Sequence, residues 1–274
     1  MNDLENTLVF GTGASAAKNY EDLLKLIQKC IESNILIFDT APSYKTEKIL
    51  GKVLSECIQK LKIQREKIVI QTKIDPWQMQ DNRNNVRYYV EDALKKMNFS
   101  YLDTLFIHWP IPEYLDRTWK SFIDIHEEGL VKNIGICNIR YRHLLKFKNL
   151  NMMPQIIQIE RHPLNICKKE IDFCLDNNIK IQAYSPLCKM SPLLKNSKIL
   201  KNIACKYNKS IGQIILRWHV DTGVQPVFTS KKINRIEEYS NIFDFNLTKN
   251  EIMEINKMNK NYKLYLESCI CPGL

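Results

Sequence analysis

The chain has 274 residues, 45% hydrophobic and 26% charged, the balance of an ordinary globular protein long enough to bury a substantial core. Its formal net charge of +10 comes from lysines scattered along helix-like segments. There is no long basic run and no interleaving of aromatic with basic residues, so no nucleic-acid partner is expected. No stretch reaches the apolar length of a membrane span and the first residues lack a signal-peptide core, so no membrane contact and a cytoplasmic location are the expectation.

Short apolar runs alternate with longer segments of helical period. Leu8-Val9-Phe10 reads as a strand, and Tyr20 to Ser33 carries an apolar stripe at Leu23, Leu24, Leu26, Ile27, Cys30 and Ile31. Strand Ile35 to Phe38 and a helix from Thr46 follow, then strand Ile68 to Gln71, helix Val86 to Met97 and strand Leu102 to Ile107. Helix Leu115 to Glu128 stops at Gly129, a C-terminal stop signal. Next come strand Asn133 to Ile136, helix Tyr141 to Phe147, strand Ile156 to Ile159, helix Lys168 to Asp176 and strand Ile179 to Ala183. Two helical stretches span Ile199 to Val220, before strand Val224 to Phe228, helix Ile233 to Tyr239 and a last helix from Leu247 to Met258. Alternation at this period implies parallel strands joined by crossover helices, and about eight such units in a chain of this length fit a (β/α)8 TIM barrel. A doubly wound open sheet is the rival. No linker or repeat divides the chain, so residues 1–274 read as one domain.

Nine cysteines form no Cys-x-x-Cys pair and are odd in number, which predicts reduced thiols. The same reading covers Cys269 and Cys271 near the end of the chain. His126, His143, His162 and His219 show no metal-ligand spacing, and no metal site is predicted. Gly11-Thr12-Gly13 after the first strand invites a Rossmann reading, but the position about twenty residues on lies inside a helical stripe instead of at a strand end. A tight rim turn where a ligand approaches the backbone closely fits better.

Asp39, Lys73 and His108 each close an apolar strand-like run, and Tyr44 follows Asp39 by a short loop. On parallel neighbouring strands these four converge on one rim. Free tyrosine titrates near pH ~10; a nearby ammonium held by a carboxylate favours the phenolate and makes the phenol a better acid. The set suits polarising and protonating a carbonyl while another group delivers hydride. Taken alone, His108 reads as a satisfied core histidine, and Asn138 and Gln158 read equally as ligand contacts or strand-end hydrogen bonds.

The segment Phe38-Asp39-Thr40-Ala41-Pro42-Ser43-Tyr44 through Glu47 and Leu50-Gly51 resembles the first signature of the aldo-keto reductases. Thr72-Lys73 and Ile107-His108-Trp109-Pro110 resemble that family's lysine and histidine motifs. The likeness continues through Ile134-Gly135-Ile136-Cys137-Asn138, Gln158-Ile159-Glu160-Arg161-His162-Pro163, Ala183-Tyr184-Ser185-Pro186-Leu187 and Leu216-Arg217-Trp218, in the family's order. The resemblance implies a barrel that binds NADPH without a Rossmann fold and reduces a small-molecule aldehyde or ketone. It makes Tyr44 the proton donor, Asp39 and Lys73 its tuning pair, and His108 the group that orients the carbonyl. Asn138 and Gln158 would hold the nicotinamide carboxamide and Tyr184 would stack on its ring. Gly11, Thr12, Ser185, Leu187, Ser230, Arg235 and Glu238 complete the implied cofactor set, while Trp109 and Trp77 are the implied substrate contacts. The family-based oligomeric state is a monomer. A second reading on the same fold is a nucleotide-sensing regulatory subunit with little turnover, like the potassium-channel β subunits.

Four positions depart from the family's pattern. Cys137 stands where serine is usual, and Tyr239 where asparagine is common. Phe228-Thr229-Ser230 replaces Pro-Lys-Ser, so the lysine that would meet the cofactor's 2′-phosphate is Thr229. The expectation is NADPH with a weakened preference over NADH, Arg235 keeping a grip on the phosphate.

Overall fold

A computed structural model describes residues 7–13, 19–147 and 152–266, which leaves Cys269 and Cys271 outside the described residues. In chain order the elements are β1 (Val9–Gly11), α1 (Tyr20–Glu32), β2 (Ile37–Asp39), α2 (Glu47–Lys60), β3 (Val69–Ile74), α3 (Pro76–Met79) and α4 (Val86–Met97). Then follow β4 (Leu102–Ile107), α5 (Pro112–Glu127), β5 (Val131–Cys137), α6 (Tyr141–Phe147), β6 (Ile156–Glu160), α7 (Lys168–Asp176) and β7 (Lys180–Tyr184). The chain continues through α8 (Pro192–Lys195), α9 (Lys198–Tyr207), α10 (Ile211–Asp221), β8 (Gln225–Phe228), α11 (Ile233–Ser240) and α12 (Lys249–Asn256). The eight strands pair in parallel in sequence order, and β1 pairs with β8 to close the barrel. This is the (β/α)8 TIM barrel that the alternation predicts, not an open sheet.

Local chemistry explains the elements. In α1 the buried residues Leu23, Leu26, Ile27, Cys30 and Ile31 fall at helical spacing, and the Asn19 side chain caps the helix by accepting from the Asp22 N–H. Each such leucine or isoleucine buried against the barrel contributes roughly 1.5–3 kcal/mol. In α2, Gly51 lets the helix lie on the end of α4, because a Cβ there would stand 2.3 Å from the Met97 carbonyl oxygen. The α10 helix is buried over Ile214, Ile215, Leu216 and Trp218, and Trp119 on α5 is buried as well, so both tryptophans are core.

The differences from the sequence reading sit at the site. Strand β3 runs on through Lys73 to Ile74 instead of stopping at Gln71. The barrel interior is polar at that level: Gln71 donates to Asp39 at 2.9 Å and to Gln182 at 2.9 Å, so a buried glutamine does not break the strand. The short helices α3 and α8 each open on a proline, Pro76 and Pro192, whose fixed φ suits a first helical turn.

Candidate active site

Strand register sets the site. Gly11 pairs with Asp39 and Asp39 with Gln71, while Asp39 is the last residue of β2 and His108 and Asn138 directly follow β4 and β5. All of them therefore lie at the C-terminal rim, where the barrel fold places its chemistry. Tyr44 ends a short 3-10 turn, Pro42–Tyr44, that leads the chain out of β2.

The four predicted catalytic residues come together. The Lys73 ammonium donates to both oxygens of Asp39, at 2.7 and 2.8 Å, and to the Thr40 carbonyl at 2.9 Å. The ammonium lies 4.8 Å from the centre of the Tyr44 ring and acts on the phenol mainly through its charge, with a smaller hydrogen-bond contribution. Asp39 also accepts from Gln71 at 2.9 Å and from Gln158 at 3.0 Å. Burial works to lower Lys73, yet the attraction of Asp39 overcomes it and holds the ammonium above the ordinary lysine value. The Tyr44 hydroxyl lies 3.3 Å from His108 Nε2, the two rings meeting edge to face.

The electrostatics of Tyr44 differ from the sequence expectation. Burial pushes its hydroxyl up to about 12, outweighing the lowering pull of Lys73. Burial also lowers His108 below the ordinary imidazole value, against the hydrogen bond it makes to Asp75, so the ring is neutral at pH 7.

A cavity of about 700 Å³ opens onto these groups. Asp39, Tyr44, His108 and Trp109 line one part of it, Asn138, Gln158, Tyr184 and Ser185 another. Gly11, Leu187 and Arg235 also reach it, as do Thr229 and Tyr239, two of the positions that depart from the family's pattern. At Gly11 a Cβ would come within 3.1 Å of the Thr229 methyl, so the glycine lets β1 and the Thr229 side chain pack closely at the cavity wall.

Other predicted residues stand elsewhere. Trp77 is 56% exposed, stacks edge-on against Tyr89 and does not line the cavity, because α3 turns it outward past the rim. Thr12 is fully buried and its hydroxyl donates to the Asp39 carbonyl at 3.0 Å, bracing the first turn from behind the cavity wall. The Ser230 hydroxyl bonds within its own turn, to the Lys232 N–H and carbonyl. Glu238 accepts from the Ser210 hydroxyl at 2.5 Å and lies 3.7 Å from the Arg235 guanidinium, outside the cavity lining. Cys137 is likewise buried outside the lining, and burial pushes its thiol well up.

The structure adds residues that the sequence reading missed. Asp75 bonds His108 Nδ1 at 2.5 Å and accepts from the Ser43 N–H at 2.8 Å. A signal was present, since Asp75 lies two residues beyond Lys73 and strand alternation puts both on one face. Lys189 and Tyr265 also line the cavity, 5.1 Å apart from ammonium to ring centre. The Tyr265 segment is tied down by Glu160, which accepts from the Leu264 and Tyr265 N–H groups at 2.6 and 3.0 Å. Loop residues so distant in sequence carry no periodic signal.

The cavity's chemistry fits a dinucleotide. Two cations, Arg235 and Lys189, face it for phosphate, while Asn138 and Gln158 offer amides and Tyr184 an aromatic face for a planar ring. The Asn138 and Tyr184 side chains are already joined, the phenol donating to the amide oxygen at 2.7 Å. Among the described residues no group of histidine, cysteine and acidic side chains is arranged to hold a metal ion, and no helix is long and apolar enough to cross a membrane.

Comparison with known proteins is consistent along the chain. Residues 7–260 match the model of the Aldo/keto reductase family. Methylglyoxal reductase DkgA of Escherichia coli is 34% identical over 257 residues, spanning 93% of this chain and 90% of that protein. Glyoxal reductase of Bacillus subtilis is 30% identical over 256 residues, with the same coverage of 93% and 90%. The crystal structure of a Bombyx mori aldo-keto reductase in complex with NADP superposes with a TM-score of 0.85 at 29% identity, covering 96% of this chain and 92% of that one.

Proposed function

The chain belongs to the aldo/keto reductase family, and we propose that it reduces small aldehydes or ketones to alcohols with NADPH, using Tyr44 as the proton donor. The observation that carries this reading is the constellation at the rim: half-buried Tyr44 beside a buried Lys73–Asp39 pair at 2.7 Å and within 3.3 Å of His108. Similarity to methylglyoxal and glyoxal reductases favours small, electron-poor carbonyls such as 2-oxoaldehydes as the substrate class.

The bound cofactor supplies the hydride. The chain's own residues do the rest. Asn138, Gln158 and Tyr184 fix which ring face meets the substrate, and Arg235 with Lys189 takes phosphate charge. Trp109, 8% exposed and packed against Tyr265 and Ile111, supplies an apolar wall for the carbonyl's substituent. Tyr44 donates its proton to the oxygen that gains charge. Pushed up to about 12, the hydroxyl stays loaded across the physiological range, and Lys73 stabilises the phenolate as it forms. The intact set supports turnover over a regulatory, nucleotide-sensing role.

Tyr44→Phe tests the mechanism. It is expected to lower kcat for methylglyoxal reduction by about 10²–10⁴, the contribution of a positioned general acid, while NADPH affinity measured by fluorescence titration stays within about twofold. Turnover at the wild-type rate in that variant contradicts the role of Tyr44. Tight NADPH binding by the wild type with no turnover across a broad aldehyde panel returns the chain to the regulatory reading.

A further inference from the structure

One carboxylate joins two parts of the site that the chain keeps apart. Asp75 follows β3, is 2% exposed, and holds His108 Nδ1 at 2.5 Å through Oδ1. Its other oxygen accepts from the Ser43 N–H at 2.8 Å, and Oδ1 also accepts from the Ser43 hydroxyl at 3.1 Å. Ser43 directly precedes Tyr44. The same anion therefore anchors both the histidine and the turn that presents the phenol. Its own backbone N–H is held by the Gln78 side chain at 2.8 Å, so the anchor is fixed from α3.

We propose that Asp75 is a positioning residue that holds His108 in the tautomer with its proton on Nδ1, so that Nε2 meets the Tyr44 hydroxyl as an acceptor. The argument rests on what each atom can do. An ionised carboxylate has only acceptors, so the hydrogen in the Asp75–His108 bond belongs to Nδ1. A neutral ring then carries its lone pair on Nε2, the atom 3.3 Å from the Tyr44 oxygen. Both protonation states agree with this. Burial works to raise Asp75, but the bonds from His108 and Ser43 outweigh it and hold the carboxyl below its usual range, while burial keeps the imidazole neutral.

This assigns His108 a part different from the one the resemblance implies. In its neutral form it is not a second donor to the substrate carbonyl. It is the acceptor that sets the direction of the single Tyr44 proton until a carbonyl oxygen enters and takes it. The inference builds on Tyr44 as the proton donor, but the tautomer itself is read independently of that assignment.

Nitrogen-15 NMR of histidine-labelled protein with NADPH bound tests the proposal, the His108 signals being assigned by their loss in His108→Gln. The wild type is expected to show the proton on Nδ1 at pH 7. Asp75→Asn places amide N–H donors as well as an oxygen beside the ring, so the proton redistributes toward Nε2. The same variant is expected to lose about a hundredfold in kcat, with KM for NADPH moving less than about threefold. Ser43→Ala keeps the carboxylate and is expected to keep the wild-type tautomer. A wild-type spectrum with the proton on Nε2 overturns the proposal without reference to any variant. So does an Asp75→Asn enzyme whose tautomer is unchanged and whose kcat stays within about threefold. Tyr44→Phe tests the proton donor separately, so failure of one reading is distinguishable from failure of the other.

Discussion

The two parts of the cavity handle charge in opposite ways. On the proton-transfer side, Lys73 has a side-chain exposure of 0% and Asp39 of 4%, and the ammonium donates to both Asp39 oxygens and the Thr40 carbonyl. On the side proposed to hold phosphate, Arg235 is 48% exposed in its side chain, donates to the Tyr239 hydroxyl at 2.8 Å and lies 3.7 Å from Glu238. A buried pair is screened little by salt and holds its geometry before substrate arrives. An exposed cation is screened within a Debye length of about 8 Å at physiological ionic strength and can shift to meet its ligand. On the proposed function, one side orients and the other captures. Substitutions on the first should therefore disturb fold and chemistry together, whereas those on the second should move affinity alone.

The largest break is expected from Lys73→Met. Removing the cation leaves the Asp39 carboxylate in the barrel with only the two amide donors of Gln71 and Gln158. Breaking a buried pair from one side costs about 3–5 kcal/mol, and urea unfolding should show a loss of that size alongside loss of turnover. The double variant Asp39→Asn with Lys73→Met removes both charges and should recover much of the stability without restoring activity. A single variant that unfolds within about 1 kcal/mol of wild type removes the contrast drawn between the two sides.

On the other side Arg235→Ala should leave folding unchanged within about 0.5 kcal/mol, as for an exposed position. On the proposed reading it removes a charge-assisted contact with the phosphate, of the order of 1.5–3 kcal/mol, so NADPH affinity should fall by roughly tenfold or more. NADH lacks the 2′-phosphate and should lose less. The loss should also shrink as salt is raised, which a salt series in the titration reads directly. Equal losses for the two cofactors would place Arg235 on a part of the dinucleotide that they share.

How much of this was legible in the sequence follows the same division. Asp39 and His108 were readable because a charged or polar residue at the end of a buried apolar run has no packing explanation, and the strand order then brings them together. Lys73 was readable too, although the strand containing it runs three residues further than the apolar pattern suggests, because the barrel interior at that level is a network of glutamines. Asp75 obeys the alternation from Lys73, but the proline that follows it reads as a break and hides the pattern. The rise of the Tyr44 hydroxyl was not legible. Sequence shows the neighbouring ammonium, whereas desolvation depends on how completely the fold covers the phenol. Trp77 misled for a related reason, since an aromatic residue near a rim motif says nothing of the direction in which a short helix turns it.

The smallest expected effect, and the sharpest test of the capture side, is Thr229→Lys. Thr229 lines the cavity, its methyl set against Gly11, so a longer side chain at this position begins at the cavity wall. An added ammonium meets a phosphate as a solvated point charge and loses rotamer freedom when it does so, which holds its gain to about 1 kcal/mol. NADPH should bind several-fold tighter while NADH stays within about twofold, and kcat should hold, because the substitution touches none of the residues around Tyr44. Parallel fluorescence titrations with the two cofactors give the ratio directly. A gain shared equally by NADH would mean that position 229 faces the pyrophosphate. A gain in neither cofactor would mean that Arg235 and Lys189 already neutralise the 2′-phosphate, so that threonine here costs the enzyme no selectivity.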